Sequence, residues 1–321
     1  MKSDFRLDHR PSGSYLDSTE AESDGGAGLS CRPPTRRKTM STKHPMFCFC
    51  VVALLFSVMG SPAQAQETPP GAAKQMPAGY SMPSLFPLYS APPVQFRDNR
   101  IIAITFKTTP EVVRELVPEP LLPNPANLMF VYIGSLNFEN PPVGRFNYLE
   151  AGIGVPVIFS NTKAPGYYAV CLYLNKALPI VAGREIYGWP KKDAEITFTE
   201  KEGEISARVE RFGTVLLSMS GKRQKNVEPG RNQRQMPWFV QKIIPSARKN
   251  APPDVWQLVS STNVDNITKE LWNCTAMLEL QTGPQDPLGN IKVLEIVSAQ
   301  FSVGDFAMDY GQIIHDYLLK K

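Results

Sequence analysis

Two adjacent lysines, Lys191 and Lys192, follow Pro190 in the stretch GREIYGWPKKDAEI (183–196). An amine attacks a carbonyl carbon only when neutral, and an ordinary lysine, with a pKa of ~10.4, is neutral in roughly one molecule of a few thousand at pH 7. Making it mostly neutral requires about 4–6 kcal/mol of discrimination against the charged form. A second ammonium ~6 Å away supplies about 3 kcal/mol at an effective dielectric of ~20. Desolvation in an apolar pocket supplies the rest. Neighbours on a strand point to opposite faces, so an extended WPKKDAEITF makes the two lysines diverge. One then enters a pocket, with Tyr187 and Trp189 as apolar wall, while the other turns to a carboxylate. A neutral lysine condenses with a ketone to a Schiff base, and the protonated imine is an electron sink. In a solvated turn the same pair would carry no chemistry.

The rest of the composition narrows the alternatives. Residues 1–39 are polar and Gly/Ser-rich without apolar periodicity, and read as disordered or as preceding the true start. From Met40 the chain shows a basic flank, an apolar run over 46–59 and Ala63-Gln64-Ala65. That pattern predicts a secretory signal peptide over 40–65, cleaved between Ala65 and Gln66, and hence export with no lasting membrane anchor. Of 34 Lys/Arg and 30 Asp/Glu, 8 and 6 lie in residues 1–65, which leaves a mature charge of +2. So near-neutral a balance offers no footprint for nucleic acid. The basic loop 222–235 is expected to face solvent. His9 and His44 fall in the leader, so His315 is the one histidine of the mature chain. No histidine-rich metal site can be built from it. Cys171 and Cys274 are the two mature cysteines, open to a disulfide or to two buried thiols.

Residues 66–95 are rich in Pro, Ala and Ser and predict an extended arm. From Arg100 onward about ten short runs rich in Val, Ile, Phe and Tyr alternate with turn residues. These include RIIAITFK, NLMFVYIGSLNF, GVPVIFS, GYYAVCLYLN and CTAMLELQ, and they predict a closed or stacked antiparallel sheet. TPEVVRELV predicts a helix with Thr109 as N-cap and Pro110 at its first position. Phe306, Tyr310, Ile313, Ile314, Tyr317 and Leu318 recur at helical spacing and predict a C-terminal helix, with His315 at its rim.

Several segments, in order, resemble acetoacetate decarboxylase and its superfamily: FRDNR (96–100), LVPEPL (116–121), NYLEAGIGVPV (147–157), GREIYGWPKK (183–192), KIIPS (242–246), TGPQDPLGNIKVLEIVSAQF (282–301) and IIHDYL (313–318). The resemblance covers about Gln95 to Leu319. It implies an α+β fold, predominantly antiparallel: a closed β-barrel or cone with flanking sheet and a few helices, over 96–321. It implies a lyase acting on a β-keto acid and releasing CO2 through a Lys191 imine, without cofactor or metal, in a homo-oligomer. Lysine activation by burial or by a cationic neighbour is a property of that family. The implied site has Lys191 as Schiff-base lysine, Lys192 held by Glu150, and Arg100 as a bidentate clamp on the substrate carboxylate. Phe96, Val131, Tyr187 and Trp189 are implied in the pocket. Val131 stands where the family's decarboxylases carry a second pocket glutamate. That departure keeps two alternatives open: aldol or dehydration chemistry on a larger keto acid, and non-catalytic binding of small ligands.

Overall fold

The computed structural model describes residues 80–83, 85–140, 144–229 and 235–319. The expected start segment 1–39, the signal peptide 40–65 and arm residues 66–79 lie outside the described residues, as do Arg231 and Arg234 of the basic loop. Residues 85–93 run irregularly into the first strand.

Sixteen strands follow among the described residues. They are β1 (Val94–Lys107), β2 (Leu121–Pro123), β3 (Leu128–Asn140), β4 (Gly144–Phe159), β5 (Ala164–Leu174), β6 (Lys191–Asp193), β7 (Glu195–Lys201), β8 (Glu204–Arg211), β9 (Thr214–Asn226), β10 (Trp238–Ile244), β11 (Val255–Ser261), β12 (Asn263–Leu280), β13 (Thr282–Gly283), β14 (Asp286–Pro287), β15 (Glu295–Met308) and β16 (Gln312–Asp316). Fourteen of them make one sheet, ordered β16-β11-β10-β5-β4-β3-β1-β15-β12-β9-β8-β7, with β2 added on β4 and β6 on β5. Most pairs are antiparallel; β5 pairs parallel with β6 and with β10. The expected closure into a barrel is not found in the ladder, which ends at β16 and β7. The sheet instead coils, and β7 packs back against β3, β4 and β5 without joining them. Right-handed strand twist, accumulated over so many strands, brings the edge round.

The expected first helix forms as α1 (Pro110–Leu116), with Thr109 at the N-cap position though its hydroxyl makes no capping bond. A second helix, α2 (Ala177–Ala182), runs into a π-turn over Gly183–Tyr187. The expected C-terminal helix does not form. Phe306 belongs to β15, and Ile313 and Ile314 lie in β16, paired with β11. Adjacent β-branched residues fit a pleated surface better than a helix, and β11 offers an open edge to pair with. Among the described residues no helix is long and apolar enough to cross a membrane.

Each central strand has two different faces. On β1, Ile102, Ile104 and Phe106 are sealed into the main core, where they join Met129, Val131 and Ile133 of β3 and Ile153 and Val155 of β4. The opposite face of the same strands borders a cavity. The basic segment at the end of β9 departs from its expected exposure at Arg223, whose guanidinium lies over the rings of Phe301 and Trp272. Cys171 and Cys274 are free thiols, and burial pushes the Cys171 thiol up to about 11.

Candidate active site

The cavity holds about 670 Å³ and is walled largely by aromatic side chains. β4 contributes the row Tyr148, Glu150 and Pro156. Between them, Gly152 and Gly154 leave room for the rings of Tyr132 and Phe130 on the neighbouring strand, their register partners. A Cβ at Gly154 would come within 2.5 Å of the Phe130 ring. Trp238 is the hub of the aromatic wall, with ring centroids 5.4 Å from Phe130, 5.5 Å from Tyr167 and 5.4 Å from Trp189. These are edge-on and tilted contacts of the kind that aromatic quadrupoles favour.

Lys191 enters this cavity from β6, and Lys192 leaves on the other face, as strand alternation requires. Lys191 is 9% exposed and its Nζ lies 3.0 Å from Oε2 of Glu150, itself 6% exposed. The other Glu150 oxygen accepts a 2.7 Å hydrogen bond from Tyr132 Oη. Burial, and then the Glu150 carboxylate, push the Tyr132 phenol well above its ordinary range, so it stays a donor. Lys191 and Glu150 are the charged residues among the described lining of the cavity.

The backbone that carries Lys191 is held from three sides. Its amide donates to Trp189 O at 2.7 Å, and Arg184 Nη1 donates to its carbonyl at 3.1 Å. The π-turn lies along its side chain: a Cβ on Gly183 would sit 2.8 Å from Lys191 Cδ and 2.9 Å from Cε. Glycine there makes space for the lysine shaft. The turn ends at Gly188, with φ of 90°, where the backbone of Lys242 passes close by. Lys242 Nζ in turn donates to Ile186 O at 3.0 Å.

The resemblance implied a pairing of Lys192 with Glu150, but Lys192 pairs elsewhere. Its Nζ lies 2.6 Å from Asp286 Oδ1. Glu150 shares the cavity face with Lys191, whereas Lys192 meets the strand-turn segment 286–290 on the far side. Asp286 also accepts from Tyr173 Oη at 2.8 Å and from Arg211 Nη1 at 2.9 Å. Burial alone would raise this carboxyl, but the hydrogen bonds from Lys192, Tyr173 and Arg211 outweigh it and hold Asp286 below the usual carboxylate range.

Arg100 also departs from its expected place. It makes a bidentate pair with Glu200, both bonds 2.7 Å, on the face away from the cavity. The cause is a β-bulge between Phe96 and Arg100, with Asp98 at φ 51°. The extra residue reverses which face each side chain takes, so Phe96 lines the cavity and Arg100 does not. Asn99 clamps the bulge, donating to Gly304 O and accepting from the Asn137 amide. Val131 is fully buried in the core and faces away from the cavity, because Phe130 and Tyr132 take the cavity side. Tyr187 is buried beside Trp189 in the second core cluster and is not part of the cavity lining, whereas Trp189 is. Sequence reasoning missed Tyr132, Trp238, Asp286 and Arg211. The motif TGPQDPLGN carried Asp286 in plain view, but nothing local tied it to Lys192, 94 positions away.

The arrangement thus offers an amine, a carboxylate in hydrogen-bond contact with it, and a tyrosine bonded to that carboxylate, all in an apolar chamber. The chain matches the family model described as Acetoacetate decarboxylase (ADC) over residues 75–318. It is 32% identical over 245 residues to acetoacetate decarboxylase 2 of Mesorhizobium japonicum, covering 75% of this chain and 90% of that protein. It is 31% identical over 243 residues to acetoacetate decarboxylase of Burkholderia multivorans, covering 74% and 95%. Among solved structures it is similar to acetoacetate decarboxylase of Legionella pneumophila, with TM-score 0.67, 23% identity, and 75% and 95% of the two chains covered. It is also similar to the enduracididine biosynthesis enzyme MppR, with TM-score 0.66, 18% identity, and 78% and 99% covered. The similar fold, the similarity to these relatives and the family match over most of its length agree: the chain belongs to the acetoacetate decarboxylase family.

Proposed function

We propose that this protein is a Schiff-base-forming lyase of a β-keto acid, with Lys191 as the nucleophile. The observation that carries the reading is the buried Lys191–Glu150 pair in the wall of an apolar cavity. Glu150 Oε2 takes a proton from Lys191 Nζ, and the freed lone pair attacks the substrate ketone. The carbinolamine loses water, its oxygen leaving with the proton that Glu150 returns, and a protonated imine results. The electrons of the bond to the carboxylate then flow into that imine, CO2 departs and an enamine remains. Protonation of the enamine carbon and hydrolysis of the imine release the ketone and regenerate the amine. Tyr132 keeps one Glu150 oxygen occupied, which aims the other at Lys191. The low dielectric of the chamber favours each charge-neutralising step.

A second reading has support from the size of the cavity. The same imine chemistry serves an aldol or dehydration step on a larger keto acid, and a solved structure of MppR holds the condensation product of pyruvate and imidazole 4-carboxaldehyde. We also propose that the protein acts after export, with 40–65 removed, and as a homo-oligomer.

The test is borohydride reduction with acetoacetate and separately with pyruvate, followed by peptide mass mapping and a CO2 assay. A stable adduct on Lys191, absent in Lys191→Ala, is expected, with CO2 released from acetoacetate. An adduct without CO2 moves the assignment to the aldol or dehydration reading. No adduct with either ketone overturns the Schiff-base reading.

A further inference from the structure

We infer that the ketone this site accepts carries an aromatic or long apolar group beyond its carbonyl; the inference rests on the Schiff-base reading of Lys191. Acetoacetate has about seven non-hydrogen atoms. Even at the ~30 Å³ that a water occupies, those atoms fill at most about 210 Å³, a third of a cavity of about 670 Å³. Cavities of roughly 300–1,000 Å³ are the usual size for ligands as large as a drug molecule.

The walls decide what fills the remaining space. Phe130, Tyr132, Tyr167, Trp189 and Trp238 face it as one aromatic group, each in ring contact with at least one other. The floor is kept open by small residues: Ala103, Thr105 and Ser302 line it, while Gly152 and Gly154 let the rings lie flat across β4. The two charged residues of the described lining neutralise one another. A charged distal group would therefore lose its hydration without gaining a partner among these residues. An apolar ring or chain would displace water from apolar surface and meet ring faces and edges. So the reacting carbonyl sits at Lys191 and an apolar tail extends towards Trp238.

The test compares two methyl ketones of equal electrophilicity, butan-2-one and 4-phenylbutan-2-one, as traps for Lys191 under borohydride. Half-maximal labelling is expected at a concentration at least about tenfold lower for the phenyl compound, the gain from burying one ring. Ala103→Phe, which places a ring in that space, is expected to erase the advantage; Ser302→Leu serves as the second variant if Ala103→Phe fails to fold. Equal or weaker labelling by the phenyl ketone, with butan-2-one still labelling Lys191, overturns the inference and leaves the Schiff-base reading standing. Labelling by neither overturns both.

Discussion

At the scale of single residues, the two lysines have different partners and different surroundings. Lys191 meets Glu150 in the cavity; Lys192 meets Asp286, which also takes Tyr173 and Arg211. An unfolded aspartate titrates near ~3.9, and native Asp286 lies below its ordinary value. The folded state therefore gains the full benefit of this group above about pH 4 and loses it as pH falls through the native value. Asp286→Asn is expected to lower stability at pH 7 by about 3 kcal/mol, since two cations lose their carboxylate. It should also flatten the acid limb of a stability profile below about pH 4. Urea titrations from pH 7 to pH 2.5 check both, and an unchanged acid limb would refute the assignment. The divergence of Lys191 and Lys192 was legible because strand alternation is local. The partner of Lys192 was not, because Asp286 and Arg211 arrive from distant segments through tertiary contact alone.

At the scale of elements, β4 and the π-turn do the positioning. Gly154 lies opposite Phe130, so Gly154→Ala must push that ring into the cavity or strain the strand pair. A loss of about 1–3 kcal/mol is expected, read as a lower urea midpoint at constant slope. Most strands were readable, since runs of Val, Ile, Phe and Tyr between turn residues specify a pleated, half-buried surface. The C-terminal segment does not form a helix because its apolar residues satisfy a helical spacing by coincidence: Phe306 lies within one strand, and Ile313 and Ile314 lie in the next. The π-turn left no periodic trace; its bond from the Gly188 amide to Gly183 O spans five residues, a pattern that no apolar repeat announces.

At the scale of the whole molecule, one coiled sheet serves two interiors. The core face carries Ile102, Ile104, Leu216 and Phe301, all fully buried, and the other face carries the cavity. Phe301 has a further duty, since Arg100 and Arg223 both lie over its ring. Phe301→Ala is expected to cost about 3–5 kcal/mol, at the upper end because two guanidinium groups lose their platform. At about 2–4 °C per kcal/mol for a domain of this size, calorimetry should show a melting temperature lower by roughly 6–20 °C. The antiparallel character was plain from strand content, whereas closure was not decidable there. Whether a long sheet seals its edges depends on twist and stagger summed over every strand.

The bulge at Asp98 divides β1 into two modules with independent parity. Inward of it, Ile101 and Ala103 are tied to the alternation that serves the cavity floor; outward of it, Phe96 stacks on Phe306, ring centroids 4.5 Å apart, and Arg97 and Asp98 turn to Asp305 and Lys269. A one-residue insertion or deletion within 97–99 would invert the outer module and leave the inner one in register. Such a change would move the Phe96 wall of the cavity without shifting Lys191 or Glu150, which lie on other strands. The shape of that wall is thus set by the count of residues in the bulge, and the Lys191–Glu150 pair by the register of β4 and β6 on β5.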